Sequence, residues 1–312
     1  LATSSQTDQY LALARTVRSY LMARWLETAR KRRASQPQKM VGYLSAEYLI
    51  GPQLLNNLVS LGIHDQVRKA VAELGQDLDQ LLEYESEPGL GSGGLGRLAA
   101  CYLDSLATLK VPAVAYGIRY EFGIFEQEIK NGWQVEKTDM WLGHGTPWDV
   151  QTTEAQRPEV GFEGSTASFC DYAFEGRVCK RWEPGYAVRG IPYTWAMVGY
   201  QSGRANLLRL WKSEACESFD FQDFNKGDYY GAVEQKMMSE NLTKVLYPND
   251  EPAQGKVLRL KQQFFLVSCS MQDLIRFLEV GGIDVERFHE HFAIQLNDTH
   301  PALAVAELMR LL

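Results

Sequence analysis

The chain has 312 residues, of which 45% are hydrophobic and 23% charged; this supplies a sizeable apolar core and excludes the polar, charge-dominated composition of a disordered chain. A formal net charge of −7 excludes general recruitment to nucleic acid or anionic membranes, because both need a positive field. No apolar run reaches the roughly 18 to 20 residues that span a bilayer, and the opening Leu1-Ala2-Thr3-Ser4-Ser5-Gln6 is no signal peptide.

From about Thr7 to Arg33, the apolar residues Tyr10, Leu13, Ala14, Val17, Leu21 and Trp25 recur at three- and four-residue spacing, which predicts one long amphipathic helix. Its basic end, Arg30-Lys31-Arg32-Arg33, reads either as a solvated terminus suited to the helix dipole or as a phosphate or effector pocket. Helical patterns follow at about Ala46 to Ser60, Asp65 to Leu74 (closed by Gly75) and Leu95 to Leu109. Pro112–Tyr116 and Glu121–Glu126 are short and apolar enough for strands. From about Val160 to Leu210, aromatic and β-branched residues with turn glycines predict a strand-rich meander. Helices return after Tyr229, most clearly from Leu258 to Val280. Phe292–Leu296 reads as a buried strand that ends in Asn297-Asp298-Thr299-His300 and feeds a helix starting at Pro301. That helix runs to a bare Leu311-Leu312 without a stop signal, so the expectation is a chain that continues beyond it. Five cysteines, Cys101, Cys170, Cys179, Cys216 and Cys269, have neither CxxC nor metal-ligand spacing, which predicts a reducing, cytoplasmic setting and no metal site. The mixture is an α/β architecture with a β-rich excursion, in one or two domains.

Four constellations could carry chemistry. Gly89-Leu90-Gly91-Ser92-Gly93-Gly94-Leu95-Gly96-Arg97 leads straight into a helical pattern; glycines bring amide N–H groups close to an anion, and the helix adds the positive end of its dipole. The spacing also meets the dinucleotide fingerprint, but its lead-in, Glu83-Tyr84-Glu85-Ser86-Glu87-Pro88, is too acidic for the required strand; a structural turn is the other reading. Asp298 and His300 stand at the carboxyl end of a strand, where α/β proteins hold ligands; they could orient sugar hydroxyls, or the segment could be an ordinary turn in which Asp298 or Thr299 caps the next helix. Glu47 is a lone carboxylate in the apolar segment Tyr43–Tyr48 and needs a partner, either a sugar hydroxyl or a neighbouring amide. Tyr247-Pro248-Asn249-Asp250-Glu251-Pro252 is a polar, proline-bounded loop that could cover a site or simply connect.

These pieces occur together, in this order, with Tyr116–Phe125, Asn241–Asp250, Leu258–Gln262 and Gln295–Pro301, and the combination resembles the α-1,4-glucan phosphorylases of glycogen, starch and maltodextrin breakdown. The resemblance covers nearly the whole chain and is weakest between about Gln151 and Glu183. It implies a GT-B-type glycosyltransferase fold with a cleft between two Rossmann-like halves, residues 1–312 being the amino-terminal part of the first half. The implied reaction is reversible phosphorolysis of a terminal α-1,4-linked glucose to α-glucose 1-phosphate, with α-1,4-glucan and inorganic phosphate as partners and a homodimer as the full-length assembly. The implied cofactor is pyridoxal phosphate, whose phosphate shuttles the proton while its aldehyde is tied to a lysine of the second domain. By motif, Gly93, Gly94 and Leu95 resemble the loop lying against the phosphates and the glucose. Glu47, Asp298 and His300 look like members of the polar pocket beside the glucose, and Asn249 and Asp250 like part of a mobile gate with Arg259 nearby. Glu251 stands where animal enzymes often have asparagine, and Lys31–Arg33 and Arg276-Phe277 replace the tyrosine and paired arginines of their AMP site, so AMP activation is not expected and a bacterial or plant-like member is.

The resemblance also implies that these 312 residues alone are inactive and bind the cofactor poorly. Rival readings are a glycoside hydrolase, which needs two carboxylates about 5 to 10 Å apart across the bond, an NAD enzyme, and a non-catalytic glucan-binding or regulatory remnant. The 7 Trp and 15 Tyr could stack on sugars, although aromatics in so large a core are usually packing.

Overall fold

Tyr10, Ala14, Val17 and Leu21 form the buried stripe of α1 (Gln6–Ala34), as their spacing predicts. A computed structural model describes residues 4–34, 38–152, 157–171 and 177–312, without the side chains of 33, 34, 167–171 and 177–180. The opening Leu1–Thr3, the Arg33 side chain and the thiols of Cys170 and Cys179 therefore lie outside the described parts, whereas Cys101, Cys216 and Cys269 are free thiols. In the basic run, Lys31 pairs with Glu27 one turn back at 2.7 Å.

The elements that follow are β1 (Met40–Leu44), α2 (Leu54–Leu61), α3 (His64–Glu73), α4 (Leu78–Glu83), α5 (Gly93–Thr108), β2 (Ala113–Ile118), and the hairpin β3 (Glu126–Lys130) and β4 (Trp133–Lys137). Then come β5 (Asp149–Gln151), β6 (Glu159–Phe162), β7 (Ser165–Asp171), β8 (Arg177–Glu183), β9 (Tyr186–Val198) and β10 (Ala205–Ala215). The chain finishes with α6 (Phe221–Asn225), α7 (Glu234–Asn241), α8 (Ala253–Val280), α9 (Phe288–His291), β11 (Phe292–Leu296) and α10 (Ala304–Leu311).

A seven-stranded sheet runs β11-β1-β2-β10-β9-β5, with β6 also on β9; β3–β4 and β7–β8 form separate ribbons. β11, β1, β2 and β10 are parallel, and β9 turns antiparallel. The fold is therefore mixed α/β with a parallel-containing sheet. β2 is buried along its whole length between two strands of the sheet, with α8 and α5 both packed on it, while α1 packs on β9 and β10. Phe265 of α8 is fully buried, as are Trp195 and Trp211; burying each such side chain stabilises the fold by about 1.5–3 kcal/mol. Tyr116 stacks on Trp211 with centroids 6.4 Å apart.

Several expectations are corrected. The helix read from Ala46 to Ser60 is a loop and then the shorter α2, because Gly51 takes φ +68° and Pro52 cannot continue a helix. The Glu85 carboxylate accepts from the Gln53 and Leu54 N–H groups (2.9 and 2.8 Å) and so starts α2 at Leu54. β1 and α4 have no counterpart in the expected elements; Asp77 caps α4 by accepting from the Asp79 N–H at 2.9 Å. Glu121–Glu126 is not a strand: Phe122 forms a lone bridge to Val245. β11 is an edge strand with alternating exposure rather than a buried one, since among the described residues it pairs only with β1. The last helix begins at Ala304, not Pro301, after a turn. Among the described residues no helix is long and apolar enough to cross a membrane.

Candidate active site

The parallel register sets Leu44 level with both Leu296 and Tyr116, so β11 and β1 end together, two residues before β2, and their next residues share one edge of the sheet. Two of those residues are polar and buried. Ser45 donates through Oγ to the Glu47 carbonyl (2.7 Å) and accepts from Asn297 Nδ2 (3.0 Å). Asn297 Nδ2 also donates to the Leu95 carbonyl at 3.1 Å. One amide thus ties the end of β11 to the turn after β1 and to the start of α5.

The glycine-rich segment enters α5 at Gly93, whose φ of +59° suits a residue without a Cβ. Gly96 lies so close to the strand-end turn that an added Cβ would stand 3.0 Å from Glu47 Oε2 and 3.2 Å from the Leu49 nitrogen. Gly93 and Gly94 are different: both are exposed, and a Cβ on either would meet nothing within 4 Å. Leu95 is half-buried. The first N–H groups of a helix lack partners within it, so this start of α5 offers donors to an open surface.

Glu47 is only 2% exposed, and both its carboxylate oxygens are engaged: Oε2 accepts from the Ser92 N–H at 2.8 Å and Oε1 from the Tyr247 hydroxyl. The Ser92 amide is of the kind expected to satisfy this carboxylate, and the Tyr247 hydroxyl is a partner that was not expected. Burial, reinforced by the negative charge of Glu47, pushes the Tyr247 phenol well above the ordinary tyrosine range and keeps it a donor. The Tyr247 ring lies under the Arg259 guanidinium (5.0 Å to the centroid) and edge-on to His300 (6.5 Å, 61°). Ala46, Tyr120, Tyr247, Arg259, Gln262 and His300 line a cavity of about 20 Å³, room for one water. His300 Nδ1 is buried with no hydrogen-bond partner among the described residues.

Glu47, Arg259 and His300 thus meet around Tyr247, with Gly93–Leu95 joined to them through Ser92 and Asn297. Asp298 is exposed beside them, held at φ +62°. Asn249 and Asp250 are exposed on the loop after Tyr247; Asn249 Oδ1 accepts from the Glu251 N–H (3.0 Å), and Asp250 pairs with Arg259 at 3.9 Å. Ser45, Tyr247 and Asn297 hold the arrangement together yet were not among the expected site residues. Their only sequence signal is adjacency to Glu47, Asn249 and Asp298.

Residues 71–312 match the Phosphorylase family, described as carbohydrate phosphorylase. The chain is 58% identical over 315 residues to a glycogen phosphorylase of Synechocystis sp., covering 100% of this chain and 36% of that protein. It is 45% identical over 317 residues to the brain-form glycogen phosphorylase of Bos taurus, covering 99% of this chain and 36% of the bovine protein. With a glycogen phosphorylase of Chlamydia trachomatis the identity is 43% over 309 residues, covering 99% and 38%. The chain therefore spans little more than a third of the length of the curated relatives it matches.

Proposed function

The chain belongs to the carbohydrate phosphorylase family, and from that membership we propose that it serves within an α-1,4-glucan phosphorylase as the amino-terminal part of the first half of a GT-B-type glycosyltransferase. The parallel core β11-β1-β2-β10 supports a Rossmann-like half, and the polar edge at the strand ends supports a cleft on that side. The observation that carries the reading is the open, glycine-built start of α5 pinned by Asn297 beside Arg259 and His300.

In the proposed reaction, phosphate attacks C1 of the terminal glucose, the bond from C1 to the glycosidic oxygen breaks, and that oxygen takes a proton as the shortened glucan leaves. The amides of Gly93, Gly94 and Leu95 would face the negative charge of the phosphate groups. His300 and Asp298 would bind glucose hydroxyls; the unpartnered His300 Nδ1 supports this. Asn249, Asp250 and Arg259 form the gate. Glu47, with both oxygens committed, orients the pocket more than it touches sugar.

Pyridoxal phosphate is the proposed cofactor. Its phosphate fits the exposed backbone at Gly93 and Gly94, where no Cβ intrudes, and these residues would lie against it. When bound, the cofactor supplies a phosphate able to give and take a proton; its lysine belongs to the part of the longer protein outside this chain. The proposed partners are a glucan, inorganic phosphate and a second copy of the full-length protein. The free thiols of Cys101, Cys216 and Cys269 support a reducing, cytoplasmic setting.

The test is product analysis with the full-length protein, maltodextrin and inorganic phosphate. Phosphate-dependent release of glucose 1-phosphate is expected; phosphate-independent release of free glucose overturns the reading. The 312-residue chain alone is expected to give neither product.

A further inference from the structure

Two segments of the site touch through one buried carboxylate. On one side, the Tyr247 hydroxyl begins the polar loop that continues through Asn249, Asp250 and Glu251. On the other, the Ser92 N–H (2.8 Å) immediately precedes the open glycines of α5. The carboxylate cannot easily follow either partner. The Glu47 N–H donates to Ser45 Oγ (3.3 Å), the Glu47 carbonyl accepts from the same hydroxyl (2.7 Å), and the Ala46 carbonyl accepts from the Tyr120 hydroxyl (2.8 Å). A buried carboxylate that loses one donor is left with an unsatisfied oxygen, which is strongly unfavourable.

We propose that Tyr247 is a positioning residue that couples the loop after it to the glycine-rich start of α5 through Glu47. Movement of the loop must either break the bond from Tyr247 to Glu47 or drag on the carboxylate that holds the Ser92 amide. The phenol is suited to this because its ring is gripped independently, by Arg259 on one face and His300 at its edge, and Arg259 in turn pairs with Asp250. Loop position is thereby read out at the amides of residues 93–95. The inference rests on the proposed function for its kinetic consequence, although not for the coupling itself.

The test uses Tyr247→Phe in the full-length protein, which removes the hydroxyl and keeps the ring. Hydrogen exchange at residues 92 and 93 is expected to accelerate about tenfold, the worth of a hydrogen bond to a charged group. KM for phosphate should rise by about the same factor while KM for glucan stays within about twofold. In a Glu47→Gln background the same substitution should add little, because the bond is already weakened. Acceleration confined to the loop, equal changes in both KM values, or additive effects in the double variant would each overturn the coupling. If the wild-type protein releases no glucose 1-phosphate, the proposed function fails, yet the exchange experiment still decides the coupling. If Tyr247→Phe does not fold, the wild-type protein serves: protection at 89–97 and at 247–251 must rise together when phosphate and maltodextrin are added, and independent changes overturn the proposal.

Discussion

Asn297 Nδ2 donates to the carbonyl of Leu95 at 3.1 Å and to Ser45 Oγ at 3.0 Å, so a side chain at the end of an edge strand fixes the first turn of α5. Asn297 is only 4% exposed, and its replacement by alanine leaves the buried Ser45 hydroxyl and the half-buried Leu95 carbonyl without that donor. Asn297→Ala is expected to destabilise the fold by about 2–3 kcal/mol, read as a lowered denaturation midpoint with an unchanged slope. A midpoint equal to wild type would show that water or a neighbour replaces the amide.

The glycines of the same segment separate two kinds of constraint. Gly94 lies inside α5 with open space where a Cβ would stand, so Gly94→Ala is expected to stabilise the chain by roughly 0.5–1 kcal/mol through helix propensity. Under the proposed function it also slows phosphorolysis, since the methyl group stands where an anion approaches. Gly96→Ala places a Cβ 3.0 Å from Glu47 Oε2 and is expected to destabilise by about 1–3 kcal/mol. Melting temperatures and turnover of the two variants check the pair; both variants losing stability alike would refute the division.

High pH offers a second, independent probe of the core. Tyr10, Tyr43, Tyr48, Tyr116 and Tyr120 are all buried, and burial pushes each phenol above the usual 10.0, Tyr43 to about 12. A pKa raised in the folded state means that the native chain holds the proton more tightly than the unfolded one. The associated stability is complete below about pH 10 and falls as pH rises further, by up to about 1.4 kcal/mol per pH unit for each phenol. Absorbance at 295 nm should therefore show these tyrosines ionising together with loss of the circular dichroism signal. Smooth ionisation before any unfolding would contradict their burial.

The periodic elements were legible because their signal is local. Tyr10, Ala14, Val17 and Leu21 announce α1, and the apolar run of Leu258 to Val280 announces most of α8. What escaped depends on neighbours. Phe292–Leu296 has the composition of a buried strand, but its exposure follows from lying at the sheet edge. Met40–Leu44 becomes β1 because parallel partners flank it on both sides. Within the candidate site, the motif around Glu47 singled out a carboxylate that must be paired, yet its partner Tyr247 lies 200 residues away. No spacing rule reports such a contact; only the register of the sheet, which ends β1 and β11 level with each other beside β2, brings the segments together.

The ion pair of Arg209 and Asp273 locks α8 to the sheet directly behind this edge. Both side chains are buried, and Tyr116 donates to Asp273 Oδ2 at 2.7 Å while the Arg209 guanidinium also lies 5.8 Å from the Phe277 ring centroid. Removing one charge leaves the other buried without its partner, so Asp273→Ala is expected to destabilise by about 3–5 kcal/mol. Tyr116→Phe removes one hydrogen bond to a charged group and should cost about 1.5–3 kcal/mol. Because desolvation offsets much of the attraction in such a pair, adding Arg209→Met to Asp273→Ala should recover most of the loss, as the stranded cation is then gone. Denaturant midpoints of the single and double variants decide it: a double variant no more stable than Asp273→Ala alone would mean that the pair holds α8 through its shape and not through its charge.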